Sequence, residues 1–200
     1  MSAEISKAQD VVSAGLIAGR SNTESIGAGG VFTATCVGAD GQVKWVDTFH
    51  NLVVNEGLVF MNGANFLASG YTAVWYLGLV DGSVTHTYAA GDTLASHATW
   101  TELAPGTDYT TGGGSSLRAS VTWNGSSPTS ANPSVTSNSD APSAFAMLVN
   151  GTSVAGALLC TVSSGTSGTL FSVGNFTGGS KTVDAGDTLN VTYSFSLTAT

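Results

Sequence analysis

The amino-acid sequence predicts an all-β fold: a β-sandwich, jelly-roll or immunoglobulin-like, with one short helix and an N-terminal arm. Three observations carry this. Thr, Val and aromatic residues, which suit pleated half-buried surfaces, recur along most of the chain. Clusters of Gly, Asn, Asp and Ser, the residues that turn a chain, separate these runs. The last run alternates without a break, Leu189, Val191, Tyr193, Phe195 and Leu197 on one face and Asn190, Thr192, Ser194, Ser196 and Thr198 on the other. That is the period of a strand with one face on a core.

The elements follow in order. Residues 3–18 place Ile5, Ala8, Val11, Val12, Leu16 and Ile17 at helical spacing, and S-N-T-E-S-I-G-A-G-G at 21–30 reads as a connector. Residues 1–30 are therefore assigned to an arm, and residues 31–200 to the sandwich domain. Val31–Gly38 alternates as a strand, Asp40-Gly41 signals a hairpin, and Val43–Val54 reads as the returning strand. Asn55 is placed to cap a helix running to about Ala68, with Glu56 in its first turn; Gly57 and Gly63 count against that helix. Residues 73–80, A-V-W-Y-L-G-L-V, are nearly all apolar, as in a strand buried on both faces. Residues 83–114 are polar, with Trp100 and Leu103 as anchors. Further strands are expected at 117–123, 143–149, 154–163, 169–176 and 189–198. Pro128, Pro133 and Pro142 limit the intervening 124–142 to a short edge strand at most.

Charge excludes several functions. Charged residues make up 9% of the chain, against about 25% in ordinary domains. The net charge is −8, with five Lys and Arg in total. So few cations cannot neutralise a run of phosphates or hold an anionic membrane surface. No apolar run approaches the ~20 residues of a membrane span, and the N-terminus lacks the pattern of a secretion signal. Nucleic-acid and membrane partners are therefore not expected.

The chemistry-bearing residues are sparse. His86, Asp92 and His97 are good ligand types, but they lack the spacing that would align them and read as polar loop residues. Glu102 and Asp108 are close in sequence, and a glycosidase needs two facing carboxylates. The nucleophile elbow, zinc-protease, phosphate-loop and dinucleotide motifs are all missing. No catalytic residue, metal ligand or cofactor is expected. Cys36 and Cys160 lie in apolar strand-like runs and read as buried thiols, a disulfide being the alternative. The pentapeptide A-G-D-T-L occurs twice, at 90–94 and 185–189, with unlike flanks; it reads as one turn used twice rather than a duplicated domain. Trp100 and Trp123 are the candidates for contact with a partner or a glycan.

Several stretches resemble a family of small tailed-bacteriophage virion proteins: W-Y-L-G-L-V-D-G at 75–82, A-A-G-D-T-L-A-S-H-A-T-W-T-E at 89–102, D-G-Q-V-K-W-V-D-T-F-H-N-L-V-V-N-E-G-L at 40–58, S-G-T-L-F-S-V-G-N-F ending at Phe176, and D-A-G-D-T-L-N-V-T-Y ending at Tyr193. The resemblance covers residues 31–198, with a divergent stretch at about 104–142. It implies a non-enzymatic structural protein of the virion. On that basis the expected role is decoration or cement on the capsid exterior, binding the major capsid protein and itself as a homotrimer. The alternative is a tail-associated or fibre adhesin that binds host glycans. The first thirty residues lie outside the matching stretch and suit an arm that clasps the shell or a neighbouring subunit.

Overall fold

The computed structural model describes residues 25–67, 74–124 and 132–199. Along them run β1 (Ile26–Val37), β2 (Val43–His50), β3 (Leu52–Val53), α1 (Asn55–Phe66), β4 (Tyr76–Asp81), β5 (Tyr109–Thr111), β6 (Ala119–Ser120), β7 (Ser134–Ser137), β8 (Ser143–Met147), β9 (Thr152–Cys160), β10 (Leu170–Asn175), β11 (Lys181–Val183) and β12 (Thr188–Ala199). They form two antiparallel sheets. The first runs β2-β1-β12-β8-β5, with β7 beside β12; the second runs β3-β10-β9-β4-β6, with β11 beside β9. The protein is an all-β sandwich. None of its described helices is long and apolar enough to cross a membrane.

The inward faces of the two sheets supply the core. From β1 come Phe32, Ala34 and Cys36, and from β12 come Leu189, Val191 and Tyr193, all fully buried. They meet Leu77 and Leu79 of β4, Leu159 of β9 and Phe171 of β10. As its apolar run predicts, β4 is buried on both faces. The hairpin between β1 and β2 turns at Asp40-Gly41, where Gly41 takes φ +79° and the Asp40 carboxylate accepts the Gln42 N–H at 2.9 Å. Both cysteines are buried free thiols.

Four boundaries differ from the sequence expectation. First, β1 starts at Ile26, so residues 26–30 are not connector but strand, paired residue for residue with β12 from Ile26–Ala199 inward. Residues 1–24, including the helical-period stretch 3–18, lie outside the described residues. Second, the single strand expected over 43–54 is two strands in different sheets. The chain crosses at Asn51, which donates its backbone N–H to the Gly30 carbonyl. Its side chain accepts the Gly30 N–H at 2.8 Å and donates to the Tyr193 hydroxyl at 2.9 Å. Third, the residue before α1 is Val54, and no side chain caps the helix. Asn55 lies inside the first turn and donates its N–H to the Ala90 carbonyl, while the Glu56 carboxylate accepts the Leu170 N–H at 2.8 Å. Glu56 thus ties the helix to β10. Fourth, β5 and β11 arise in stretches read as loop and turn, each only three residues long.

The repeated pentapeptide is one turn built twice. In each copy the Asp N–H donates to the carbonyl three residues back, Ala89 in one case and Asp184 in the other. In each, the Asp carboxylate accepts the N–H of that same residue, at 3.0 Å for Ala89 and 2.9 Å for Asp184. Only Gly186 uses a left-handed conformation, φ +90°. The second copy launches β12; the first leads into irregular chain anchored by Leu94 and Trp100.

Candidate functional site

The acidic residues are largely committed to structure. The Asp92 carboxylate, besides closing its turn, accepts Trp100 Nε1–H at 2.9 Å. His97 stacks on Trp100 at 3.8 Å between ring centroids, with its Nδ1 3.0 Å from the Trp100 carbonyl oxygen. His86 Nδ1 lies 2.8 Å from the Val84 carbonyl oxygen. Asp92 and His97 both serve Trp100, one at its Nε1 and one on its ring face, while His86 bonds its own loop. Among the described residues, no three His, Cys, Asp or Glu side chains converge as metal ligands. Asp108 accepts the Ala104 N–H at 2.7 Å. Glu102 forms a two-pronged pair with Arg118, at 2.8 and 2.7 Å. The two carboxylates face different partners rather than one cleft.

A hollow of about 440 Å³ lies beside that pair, lined by Thr111, Ser115, Arg118, Ser120 and Ser143 among others. Its polar groups are largely engaged: Thr111 donates to the Leu117 carbonyl at 2.9 Å and Ser143 to the Ser120 carbonyl at 3.1 Å. Its one ionised side chain, Arg118, also donates to the carbonyls of Val162 and Gly165, both at 3.0 Å. This is a braced seam, not a poised reactive group.

The second charged cluster is at the turn that precedes β12. Lys44 Nζ donates to Asp187 at 2.8 Å and lies 3.5 Å from Asp184. Burial works against ionisation of Asp187, but Lys44, the Asp184 N–H and the neighbouring Cys36 thiol hold its carboxyl below the usual range. Burial first, and the Asp187 charge second, push the Cys36 thiol up to about 11. Burial pushes Cys160 to about 11 as well. Neither thiol is therefore a nucleophile near neutral pH.

These thiols set an alkaline limit on stability. The unfolded chain releases thiol protons near pH ~8.5, whereas the folded chain keeps them to about 11. A raised folded value means that stability is fully present below pH ~8.5 and is lost as pH rises towards 11. Cys160 alone accounts for a loss on the order of 3 kcal/mol across that window. Burial also raises the phenols of Tyr88, Tyr109 and Tyr193 above their ordinary value, which steepens the loss above pH ~10. The urea midpoint should hold between pH 6 and 8 and fall from pH 8.5 to 10.5. A flat profile would show that the thiols keep their ordinary acidity.

Of the two tryptophans proposed as contacts, Trp100 is no surface platform. It is 3% exposed, packed on His97 and edge-on to Tyr88. Only its polar edge needed a partner, and Asp92 fills that need. Trp123 is half-buried and stands at one end of the sandwich, where an aromatic chain runs from Phe60 of α1 to Trp75, Phe171 and Phe195 with centroids 5.2–5.3 Å apart. Together with Met61 and Leu197 these rings line an apolar hollow of about 230 Å³ between the sheets. Among the described residues no ionised side chain lines it. It is smaller than the ~300–1,000 Å³ of small-molecule pockets and suits inserted side chains.

This mouth was missed in the sequence because its walls come from seven separate segments. Comparison with family models, curated proteins and solved structures gives no match.

A third feature is the edge of the first sheet. Among the described residues β2 pairs only with β1. Its eight residues make it the longest edge, since β3, β5, β6, β7 and β11 have two to four each. Val43 and Val46 stand on it more than half exposed.

Proposed function

We propose that this chain is a structural protein of a bacteriophage virion, a decoration or cement protein on the capsid exterior. It binds the major capsid protein and further copies of itself as a homotrimer. The observation that carries the reading is the β2 edge. A long strand that, among the described residues, pairs only with β1 and carries exposed valines offers main-chain and apolar contacts to a neighbouring chain on either side of Thr48, whose carbonyl the Thr177 hydroxyl already caps. A surface this poor in ionised groups loses little charge hydration when a partner covers it. The sequence resemblance points the same way, and the commitment of the carboxylates to turns and ion pairs suits a load-bearing body. The glycan-binding alternative loses one of its two aromatic platforms with the burial of Trp100.

Particles lacking the protein should keep their shape but release their genome at lower temperature, and adding the purified chain should restore them. Val46→Lys, which places a charge on the edge, should bind such particles at least ten-fold more weakly. Equal durability with and without the protein would refute the cement role.

A further inference from the structure

The two sheets differ on their outer sides. The second sheet is covered there by its own chain: Leu94 and Trp100 join Val80, Leu158 and Val173 in one buried cluster. Among the described residues the first sheet has no such cover. Thr48 of β2 and Ala144 and Ala146 of β8 are exposed, and Thr33 of β1 and Thr192 of β12 remain partly exposed.

This open face carries no ionised group along its middle. Alternation turns Val31, Thr33 and Thr35 of β1 outward, opposite Ser194, Thr192 and Asn190 of β12, with Val46 and Thr48 beside them on β2. Asp47 takes the inner side and is 9% exposed. Lys44 lies where the β1–β2 register shifts and turns to Asp187 and Asp184. An ordinary solvated surface is about 25–35% charged, whereas depletion of charge marks the core of an interface.

The hydroxyls are already engaged within the sheet. Thr33 and Thr48 share a bond at 3.1 Å, and Ser194 and Ser137 another at 2.8 Å. Thr192 donates to the Thr33 carbonyl at 3.4 Å and Ser196 to the Gly29 carbonyl at 3.3 Å. Covering the face therefore strands few polar groups, which is the main penalty of burying one. Its size is adequate. Four strands at ~4.8 Å give a width of about 19 Å, and the lengths of β2 and β1 give about 26–40 Å. The product, roughly 500–750 Å², overlaps the ~600–1,000 Å² per partner of a specific interface.

Charge also selects the occupant. The chain carries a net −8, so two copies meeting elsewhere bring like charges together, and here they bring none. A hydroxyl both donates and accepts, so the face complements itself, as a two-fold contact requires.

We propose that the outer face of the first sheet is a contact between two copies of this chain, packed sheet against sheet. It is separate from main-chain pairing at the β2 edge and does not depend on the virion role. Alone it makes a pair, and added to a three-fold contact it makes six copies. Its mark is a doubling of mass.

Analytical ultracentrifugation of the full chain, from low to high micromolar concentration, should show that doubling. Thr192→Lys, which sets a cation on each facing surface, should weaken it at least ten-fold while the urea midpoint holds. Thr48→Lys, at an exposed position of the same face, should act alike and keeps the test valid if the first variant misfolds. Thr182→Lys, exposed on β11 in the second sheet, should leave the doubling intact. A mass that never doubles would overturn the proposal, as would doubling that survives both face variants or is lost equally in Thr182→Lys. A three-fold rise alone would also overturn it, while leaving the trimer at the β2 edge in place.

Discussion

Replacing Arg118 by Met should cost about 3–5 kcal/mol of folding stability, the range for breaking one partner out of a buried ion pair. The side chain is 5% exposed and that of Glu102 17%, so water replaces the lost guanidinium only in part. Four hydrogen bonds vanish together: two to Glu102 and one each to the carbonyls of Val162 and Gly165. The two carbonyls belong to the connection between β9 and β10, and Glu102 is bridged to Val80 of β4, so the guanidinium joins two segments to the second sheet. Glu102 has no room to retreat inward, since its carboxylate lies against Gly78, where a Cβ would fall 2.3 Å from Oε1. The decisive comparison is Arg118→Met/Glu102→Leu. If uncompensated charge is the cause, the double variant should recover most of the loss, because buried pairs are often replaceable by apolar residues at little cost. A double variant as unstable as the single one would mean that the carbonyl contacts matter more than the pair. Urea midpoints at constant m-value measure both.

The features legible in the sequence are those that repeat locally. Alternation along 189–198 places β12 and its inward face, the apolar run at 73–80 places β4, and Asp40-Gly41 places the first hairpin. The pentapeptide is recognisable as a turn because both copies contain the Asp that closes it. What escapes is set by contacts distant in sequence. Nothing in V-K-W-V-D-T-F-H-N-L-V-V marks Asn51 as the crossing between sheets; its partners are Gly30 and Tyr193. Trp100 reads both as an anchor of a polar stretch and as a contact candidate, and the fold decides for the anchor by burying the ring and bringing Asp92 to its Nε1. Gly57 shows a reversal of sign. Propensity counts it against the helix by about 1 kcal/mol, yet a Cβ there would lie 2.4 Å from the Phe171 carbonyl oxygen. The glycine lets α1 approach β10 closely enough to close the mouth. The mouth itself was illegible for the same reason: Phe60, Trp75, Trp123, Phe171 and Phe195 are each ordinary apolar residues in their own segments.

Gly156→Ala should destabilise the protein by about 3 kcal/mol or more, at the upper end of overpacking costs. Strand propensity alone predicts the opposite, since glycine weakens a strand interior. Position 156 lies in β9, between Asn175 of β10 and Val80 of β4. A Cβ there would sit 1.8 Å from the Gly174 carbonyl oxygen and 2.9 Å from the Asn175 Cα, backbone atoms that no rotamer change can move. Nor can β10 withdraw. At Gly174 an added Cβ would already meet the His50 carbonyl oxygen at 2.8 Å and the Asn51 Cα at 3.2 Å, so β10 is pressed between β9 and the point where the chain changes sheets. Relief must then come from opening the β9–β10 ladder, which also disturbs Asn175, whose side chain holds the His86 carbonyl at 3.0 Å and the Tyr88 hydroxyl. Gly29→Ala is the matched control. It too is a strand glycine, but no atom lies within 4 Å of the added Cβ, so its urea midpoint should stay within error of the parent. If the two alanines behave alike, the close crossing of β9, β10 and the Asn51 corner is not what holds the sheets in register.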